Sequence, residues 1–421
     1  MKVLWITNIL LPEAEGLLTS NGTLKNSGGW LVGASEKLAS CDDIQLCIAC
    51  ISSLVKTTTR LLGERIIYYV IPIGRGFKKY NSDYEKDWIR IRSEFQPDVV
   101  HIHGTEYTHG LSYVNACGAD NVVVSIQGMK SAYHQYYYSN ISVNDIIKNY
   151  TLRDIFKGGI FKGKADFKVQ GLYEIDLLRK VNHIIGRTTW DKAHSWAINP
   201  KAKYHFCNET LRQEFYTGES WNYTSCRKHT IFLSQGGYPI KGLHQVLKAL
   251  PFVLSQYPNT EVRIAGPDIT RFSGIQEIVY MTGYGRYIKS LIKSSGLENN
   301  VCFIGNLSAE EMKMEYLNSN LFVCPSAIEN SPNSLGEAQL LGVPCIASYV
   351  GGIPDMMVGF EEYLYRFDEY VELANLICRV FSSSGSYDSQ KSISISYARH
   401  EPIHNLKQTI NIYKSILNSK I

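Results

Sequence analysis

The amino-acid sequence predicts an α/β protein of two Rossmann-like domains facing each other across a cleft. Three observations predict it. The chain has 421 residues, more than one hydrophobic core usually organises. Short apolar runs alternate with helical stretches, the pattern of a parallel sheet with helices on both faces. The alternation breaks once, at residues 206–228, which are polar and aromatic without sustained period, and then restarts.

Before the break, at residues 1–205, the strand candidates are KVLWITN, IQLCIACI, RIIYYVIPI, DVVHIHG, NVVVSIQG and HIIGRT. After it, at residues 229–395, they are TIFLSQ, EVRIAGP, NVCFIGN, LFVCPS and PCIAS. Ligand loops at strand ends follow from such an arrangement. SSSGSYDSQKS at 382–392 reads as a flexible loop. The stretch 396–421 reads as a C-terminal helix packing back towards the N-terminal domain.

Charged residues make up 19% and hydrophobic ones 44%, ordinary for a folded chain. The formal charge of +4 is too small to argue nucleic-acid binding. Residues 1–205 carry 25 Lys+Arg against 19 Asp+Glu, and residues 206–421 carry 18 against 20. An anionic surface would therefore meet the first half. The 28 Tyr residues suit sugar or head-group contacts, having an apolar face and a polar tip, although most belong to core and surface. Among the 10 Cys, Cys47 and Cys50 sit in an apolar run and read as buried thiols, and no Cys/His pair completes a zinc site. MKVLWITNILLPEAEG lacks a small-residue cleavage site, and no apolar run approaches a membrane span. The expected setting is cytoplasmic, with peripheral placement at the inner face of a membrane left open. No D-x-D triplet and no G-x-x-x-x-G-K-[ST] loop occurs, so neither a metal nor a P-loop is expected.

The strongest local signal is LFVCPSAIENSPNSLGEAQLLGVPCIAS, 321–348. A buried strand ends at Pro325–Ser326, a polar loop follows, and a helix starts near Ser334. A helix N-terminus with free N–H groups suits a phosphate. Glu329 in the loop and Glu337 in the first helical turn suit sugar hydroxyls. Ser334 and Glu337 also spell a capping box, in which the glutamate only caps its helix. Ser308 and Glu311 spell another.

The two glutamates, with PS before, NS between and GVPCIAS after, resemble the donor-site signature of glycosyltransferase family 4. GGW (28–30), PDVVHIHG (97–104), YPIKGL (238–243) and IAGP (264–267) extend the resemblance over nearly the whole chain. GRTTWDKA (186–193) and NETLRQEFY (208–216) resemble a bacterial subgroup building capsules, exopolysaccharides or O-antigens. The resemblance implies a GT-B architecture, an acceptor-binding first domain and a donor-binding second one. It implies transfer with retention from a nucleotide sugar, a UDP-sugar foremost, to a glycan or lipid-linked acceptor, without cofactor or metal. By position it assigns Glu337 to the ribose, Glu329 to the donor sugar and Lys241 to the leaving diphosphate. Asn330, Ser331, Asn333 and Ser334 would hold sugar and diphosphate, as would Gly28 and Gly29. The nucleobase would lie near Asn306 and Leu307. Two departures stand out: Gly236 where an arginine is usual, and Gln127 where a histidine is. A neutral amide orients a hydroxyl but transfers no proton. His103, on the neighbouring strand end, and Glu106 behind it are candidate substitutes.

Two rival functions remain open on sequence: a nucleotide-sugar 2-epimerase on the same fold, and a non-catalytic nucleotide-sugar-binding subunit. The stretch 149–181 mixes apolar and basic side chains, with six basic and two acidic residues from Lys148 to Lys168. It reads either as a solvated charged helix or as a face for an anionic membrane.

Overall fold

The computed structural model describes residues 1–19, 29–74, 79–383 and 385–418. They form two compact units, residues 1–132, 166–211 and 400–421 against residues 133–165 and 212–399.

The first unit holds an eight-stranded sheet. Its strands are β1 (Lys2–Thr7), β2 (Gln45–Ser52), β3 (Thr59–Leu62), β4 (Ile66–Pro72), β5 (Val99–His103), β6 (Val122–Ser125), β7 (His183–Gly186) and β8 (Lys203–Phe206). Their order is β3-β4-β2-β1-β5-β6-β7-β8. All pairings are parallel except β3 with β4. Successive side chains of β1 face opposite cores: Leu4 and Ile6 one, Val3 and Trp5 the other. A strand buried on both faces needs an unbroken apolar run, which β1 and β2 have. The expected strands are present, joined by β3 and β8. β3 alternates half-buried and exposed residues at an edge, and KYHF of β8 has one buried residue, so neither produces a long apolar run.

The second unit holds β9 (Arg227–Leu233), β10 (Glu261–Ile264), β11 (Val301–Phe303), β12 (Ser319–Cys324), β13 (Cys345–Ser348) and β14 (Leu364–Tyr365). Their order is β11-β10-β9-β12-β13-β14, all parallel.

The division of the chain differs from the expected 1–205, 206–228, 229–395 and 396–421. Residues 133–165 leave the first half and join the second unit. Ile141, Ile146 and Ile160 enter the core built by Ile231, Leu233 and Leu247, and Ser139 O pairs with His244 Nε2 at 2.7 Å. Apolar spacing shows that a segment is buried but not against which sheet. The expected terminal helix is two helices, Ser389–His400 and Pro402–Asn418, because a residue before proline disfavours the helical region. The second belongs to the first unit, where Trp5 Nε1 donates to Tyr413 Oη at 2.9 Å.

The expected loop 382–392 also shortens, since a helix begins at Ser389. Ser389, Ser392 and Ser396 form one helical face, and their hydroxyls donate to Gly342 O, Gln339 O and Gly336 O at 2.7, 3.3 and 2.8 Å. Serines that resemble a loop in composition here let two helices approach closely.

Candidate functional site

In the second unit, β12 ends at Cys324 and the loop after it leads into the Asn333–Leu340 helix. The Pro239–Lys241 turn lies beside this loop. Gly242 makes that possible: its φ is 72°, and a Cβ there would lie 1.6 Å from Pro325 O. Lys241 Nζ donates to Glu329 Oε1 at 2.5 Å, and Ser326 Oγ donates to the same oxygen at 2.9 Å. Burial opposes the Lys241 charge, but Glu329 and Tyr238 outweigh it and hold the ammonium above its ordinary pKa. The crevice around the pair is lined by Ser234, Gln235, Cys324, Ser326 and Ser334. Gly351 supports the loop from behind, since a Cβ there would meet Glu329 O at 1.9 Å.

The capping box that Ser334 and Glu337 could spell does not form. Pro332 occupies the N-cap without a side-chain bond, and Ser334 lies inside the helix. Glu337, 4% exposed, is instead gripped by Arg212: Nε to Oε1 at 2.7 Å and Nη2 to Oε2 at 2.8 Å. Burial raises the Glu337 pKa against the pull of Arg212. Arg212 stacks over Phe215 at 4.8 Å. Sequence reasoning placed Arg212 in the linker and missed it. Its signal was the pair Arg212 and Phe215 in LRQEF, an arginine with an aromatic support.

Asn330 and Ser331 are buried, whereas Asn333 and Ser334 in the first helical turn are half-buried. First-turn N–H groups lack intrahelical acceptors. Asn306 and Leu307 follow β11, with Asn306 exposed. The Ser308–Glu311 capping box forms as read, so those side chains are occupied by the helix. Gly236 packs beside Ile264 and Leu243, and a Cβ there would lie 2.9 Å from each, so a larger side chain would have to displace them.

In the first unit, other candidates gather at the C-terminal strand ends. His103 ends β5 and is 6% exposed, with no hydrogen-bond partner at either ring nitrogen among the described residues. Its ring meets Trp5 at 4.3 Å and His101 at 3.8 Å. Burial, then the neighbouring His101 and Arg187, keep His103 neutral. It lines a cavity of about 70 Å³ with Trp5, Trp30, Arg187, Glu209 and Asn405. Gln127 Nε2 donates to Glu209 Oε1 at 2.7 Å, and Arg187 Nη2 reaches the same oxygen at 2.8 Å. Glu106 accepts from Asn8 Nδ2 at 3.3 Å and Gly128 N at 3.2 Å, with its pKa raised by burial. Gly29 opens the Gly29–Ala39 helix and is exposed, while Gly28 lies outside the described residues.

Glu174 was also missed. It comes from the Ile160–Lys180 helix and accepts from Thr105 Oγ1 at 2.5 Å and Ser131 N at 3.0 Å. It thereby ties the loops after β5 and β6. Burial pushes its carboxyl up to about 7. Among the described residues no cluster of three His, Cys, Asp or Glu is placed to hold a metal, and none of their helices is long and apolar enough to cross a membrane.

Residues 225–416 match the family model described as glycosyl transferases group 1. Sucrose-phosphate synthase from Thermosynechococcus elongatus superposes with a TM-score of 0.72 at 14% identity, covering 99% of both chains. The fold is GT-B. Another GT-B neighbour is Anabaena HepE, solved in complex with UDP-glucose, with a TM-score of 0.63 at 15% identity over 99% of this chain and 100% of that one. Among curated proteins, CapJ of Staphylococcus aureus is 26% identical over 184 residues, 42% of each chain. The chain spans less than half the length of the curated relatives it matches.

Proposed function

We propose that this GT-B chain is a glycosyltransferase of family 4, moving a sugar from a nucleotide-sugar donor, a UDP-sugar foremost, to a hydroxyl of a glycan or lipid-linked oligosaccharide. The observation that carries the reading is the strand-end loop of the second unit, where the Lys241–Glu329 pair shares a crevice with Ser334 of a helix's first turn and Glu337 lies about one turn into that helix. A cation and first-turn N–H groups suit a diphosphate, and carboxylates suit ribose and sugar hydroxyls. HepE, solved with UDP-glucose on the same fold, and the partial likeness to CapJ support the donor class and a role in capsule, exopolysaccharide or O-antigen synthesis.

In the proposed reaction the anomeric carbon–phosphate oxygen bond breaks as the bond to the acceptor oxygen forms on the same face. The departing phosphate oxygen takes the acceptor proton, so configuration is retained and no protein base is required. Lys241 stabilises the growing diphosphate charge, an interaction that strengthens in the transition state. No metal takes part. Asn330, Ser331, Asn333 and Ser334 contact sugar and diphosphate, Gly28 and Gly29 the diphosphate, Asn306 and Leu307 the base. His103 and Gln127 orient the acceptor hydroxyl.

A panel of UDP-, GDP- and ADP-sugars, read by thermal stabilisation and turnover in the presence of EDTA, tests this. Glycoside formation from one donor class is expected. Epimerised sugar, or binding without turnover, would replace the reading with an epimerase or a binding subunit. Glu337→Ala should weaken affinity for the matching nucleoside diphosphate by about 1.5–3 kcal/mol, and unchanged affinity in calorimetric titration would remove Glu337 from the ribose.

A further inference from the structure

We propose that the second unit carries a docking surface for an anionic lipid bilayer, formed by the Val143–Lys148, Leu152–Lys157 and Ile275–Tyr280 helices. Among the described residues 26 large apolar side chains are exposed, and eight of them lie on these three helices of 6 residues each. Single exposed apolar residues are ordinary, but such a concentration marks an interaction surface. Phe156 at 84% and Ile275 at 80% are the most exposed of the set, joined by Ile147, Leu152, Ile155 and Tyr280.

The attachment of the Leu152–Lys157 helix explains why these groups face water. Thr151 Oγ1 donates to Met281 O at 2.8 Å, and Gly283 N donates to the buried Asp154 carboxylate at 2.7 Å. This helix packs along the Ile275–Tyr280 helix. Its polar residues hold it to the protein while Ile155 and Phe156 stay outside, the reverse of an ordinary surface helix. Val143–Lys148 is anchored by Ile146 in the core, and Ile147 beside it is exposed.

Charge selects the occupant. Residues 143–165 contain five basic residues, Lys148, Arg153, Lys157, Lys162 and Lys164 (the last turned onto the Tyr138 ring), against Asp145 and Asp154, and the Glu277 that the third helix adds is paired with Lys289 and Arg286. Asp154 accepts from Gly283 N and pairs with Arg153 at 3.7 Å, so the excess rests on the lysines. Apolar side chains edged by lysine and arginine match a lipid boundary with anionic head groups, whereas a second copy would bring the same basic excess against itself. The structure also narrows the stretch that the sequence suggested. Leu177 and Leu178 belong to the first unit's core, and Lys164 Nζ lies over the Tyr138 ring at 4.1 Å. The surface instead includes the Ile275–Tyr280 helix, more than a hundred positions away in sequence.

The test is co-sedimentation of the full chain with phosphatidylglycerol–phosphatidylcholine vesicles and with phosphatidylcholine vesicles, which requires no glycosyl transfer. The chain should bind the anionic vesicles at low salt and be released by added salt. Ile155→Ser with Phe156→Ser should weaken partitioning tenfold or more while the melting temperature holds, because both side chains are already exposed. Ile275→Ser should weaken it severalfold, and Lys168→Gln should not. Absence of binding to anionic vesicles, or binding undiminished by the double substitution, overturns the proposal. A dimer in sedimentation velocity that Phe156→Ser converts to monomer would assign the face to self-association and overturn it equally.

Discussion

In the second unit the candidate groups come as ion pairs, Lys241 with Glu329 and Arg212 with Glu337. In the first unit the groups proposed to meet substrate are a neutral histidine without hydrogen-bond partners among the described residues and an amide, Gln127, while the buried Arg187–Glu209 ion pair stands behind that amide and holds it. The difference tracks the proposed tasks. A diphosphate and a ribose demand fixed charge, and a buried charge is tolerable only when paired. An acceptor hydroxyl demands orientation, which neutral donors and acceptors supply at smaller desolvation cost.

The largest effect should come from breaking the pair on the proposed leaving-group side. Lys241→Ala should lower turnover about a hundred- to a thousandfold and stability by about 3–5 kcal/mol, since Glu329 is left buried without its cation. Lys241→Met combined with Glu329→Gln should recover much of the stability and none of the turnover. Recovery of both in melts and steady-state kinetics would place the pair outside the reaction.

Arg212→Met should come next, costing about 3–5 kcal/mol near neutral pH. Burial already raises the Glu337 pKa, and without Arg212 it rises further. A carboxyl with a raised folded pKa contributes stability below its unfolded pKa and loses it as pH rises through the folded one. The variant should therefore be penalised less at pH 5 than at pH 8, and an equal penalty in melts at both would deny that Glu337 is the orphaned charge.

Glu174 sharpens the comparison in the first unit, because its carboxyl is pushed from 4.5 up to about 7. Its contribution should be complete below about pH 4.5 and fade as pH rises through about 7, by on the order of 3 kcal/mol at most. Glu174→Gln should flatten that part of the stability–pH profile, and a profile of unchanged slope would refute the assignment.

The smallest stability effect is expected at His103. His103→Phe should cost less than about 1.5 kcal/mol, since the ring makes no hydrogen bond to any described residue, while acceptor KM rises with donor affinity unchanged. A large stability loss would mean that His103 is structural.

Some of this was legible in the residues and some was not. Alternating apolar runs announced two parallel sheets, and the spacing of Glu329 and Glu337 marked one strand-end loop, because strand burial and helix starts are written in local pattern. The Ser308–Glu311 cap was read correctly for the same reason. The Ser334–Glu337 spelling left a cap and a ligand role open, and the fold excludes the cap, because Pro332 takes the N-cap position and Arg212, 125 positions away, holds the Glu337 carboxylate. Ser389 and Ser392 looked like loop composition, yet their hydroxyls donate to carbonyls of the helix ending at Leu340 and the residue Gly342 after it.

By itself the sequence determined the α/β class, the strand candidates and the residue types available at the loop after β12. Tertiary structure alone decided that residues 133–165 join the second unit, that Arg212 holds Glu337 and that Phe156 faces solvent. The physical reason is range. Periodicity and capping act over a few residues, whereas the choice of core, of ion-pair partner and of exposed face depends on groups brought together from far along the chain.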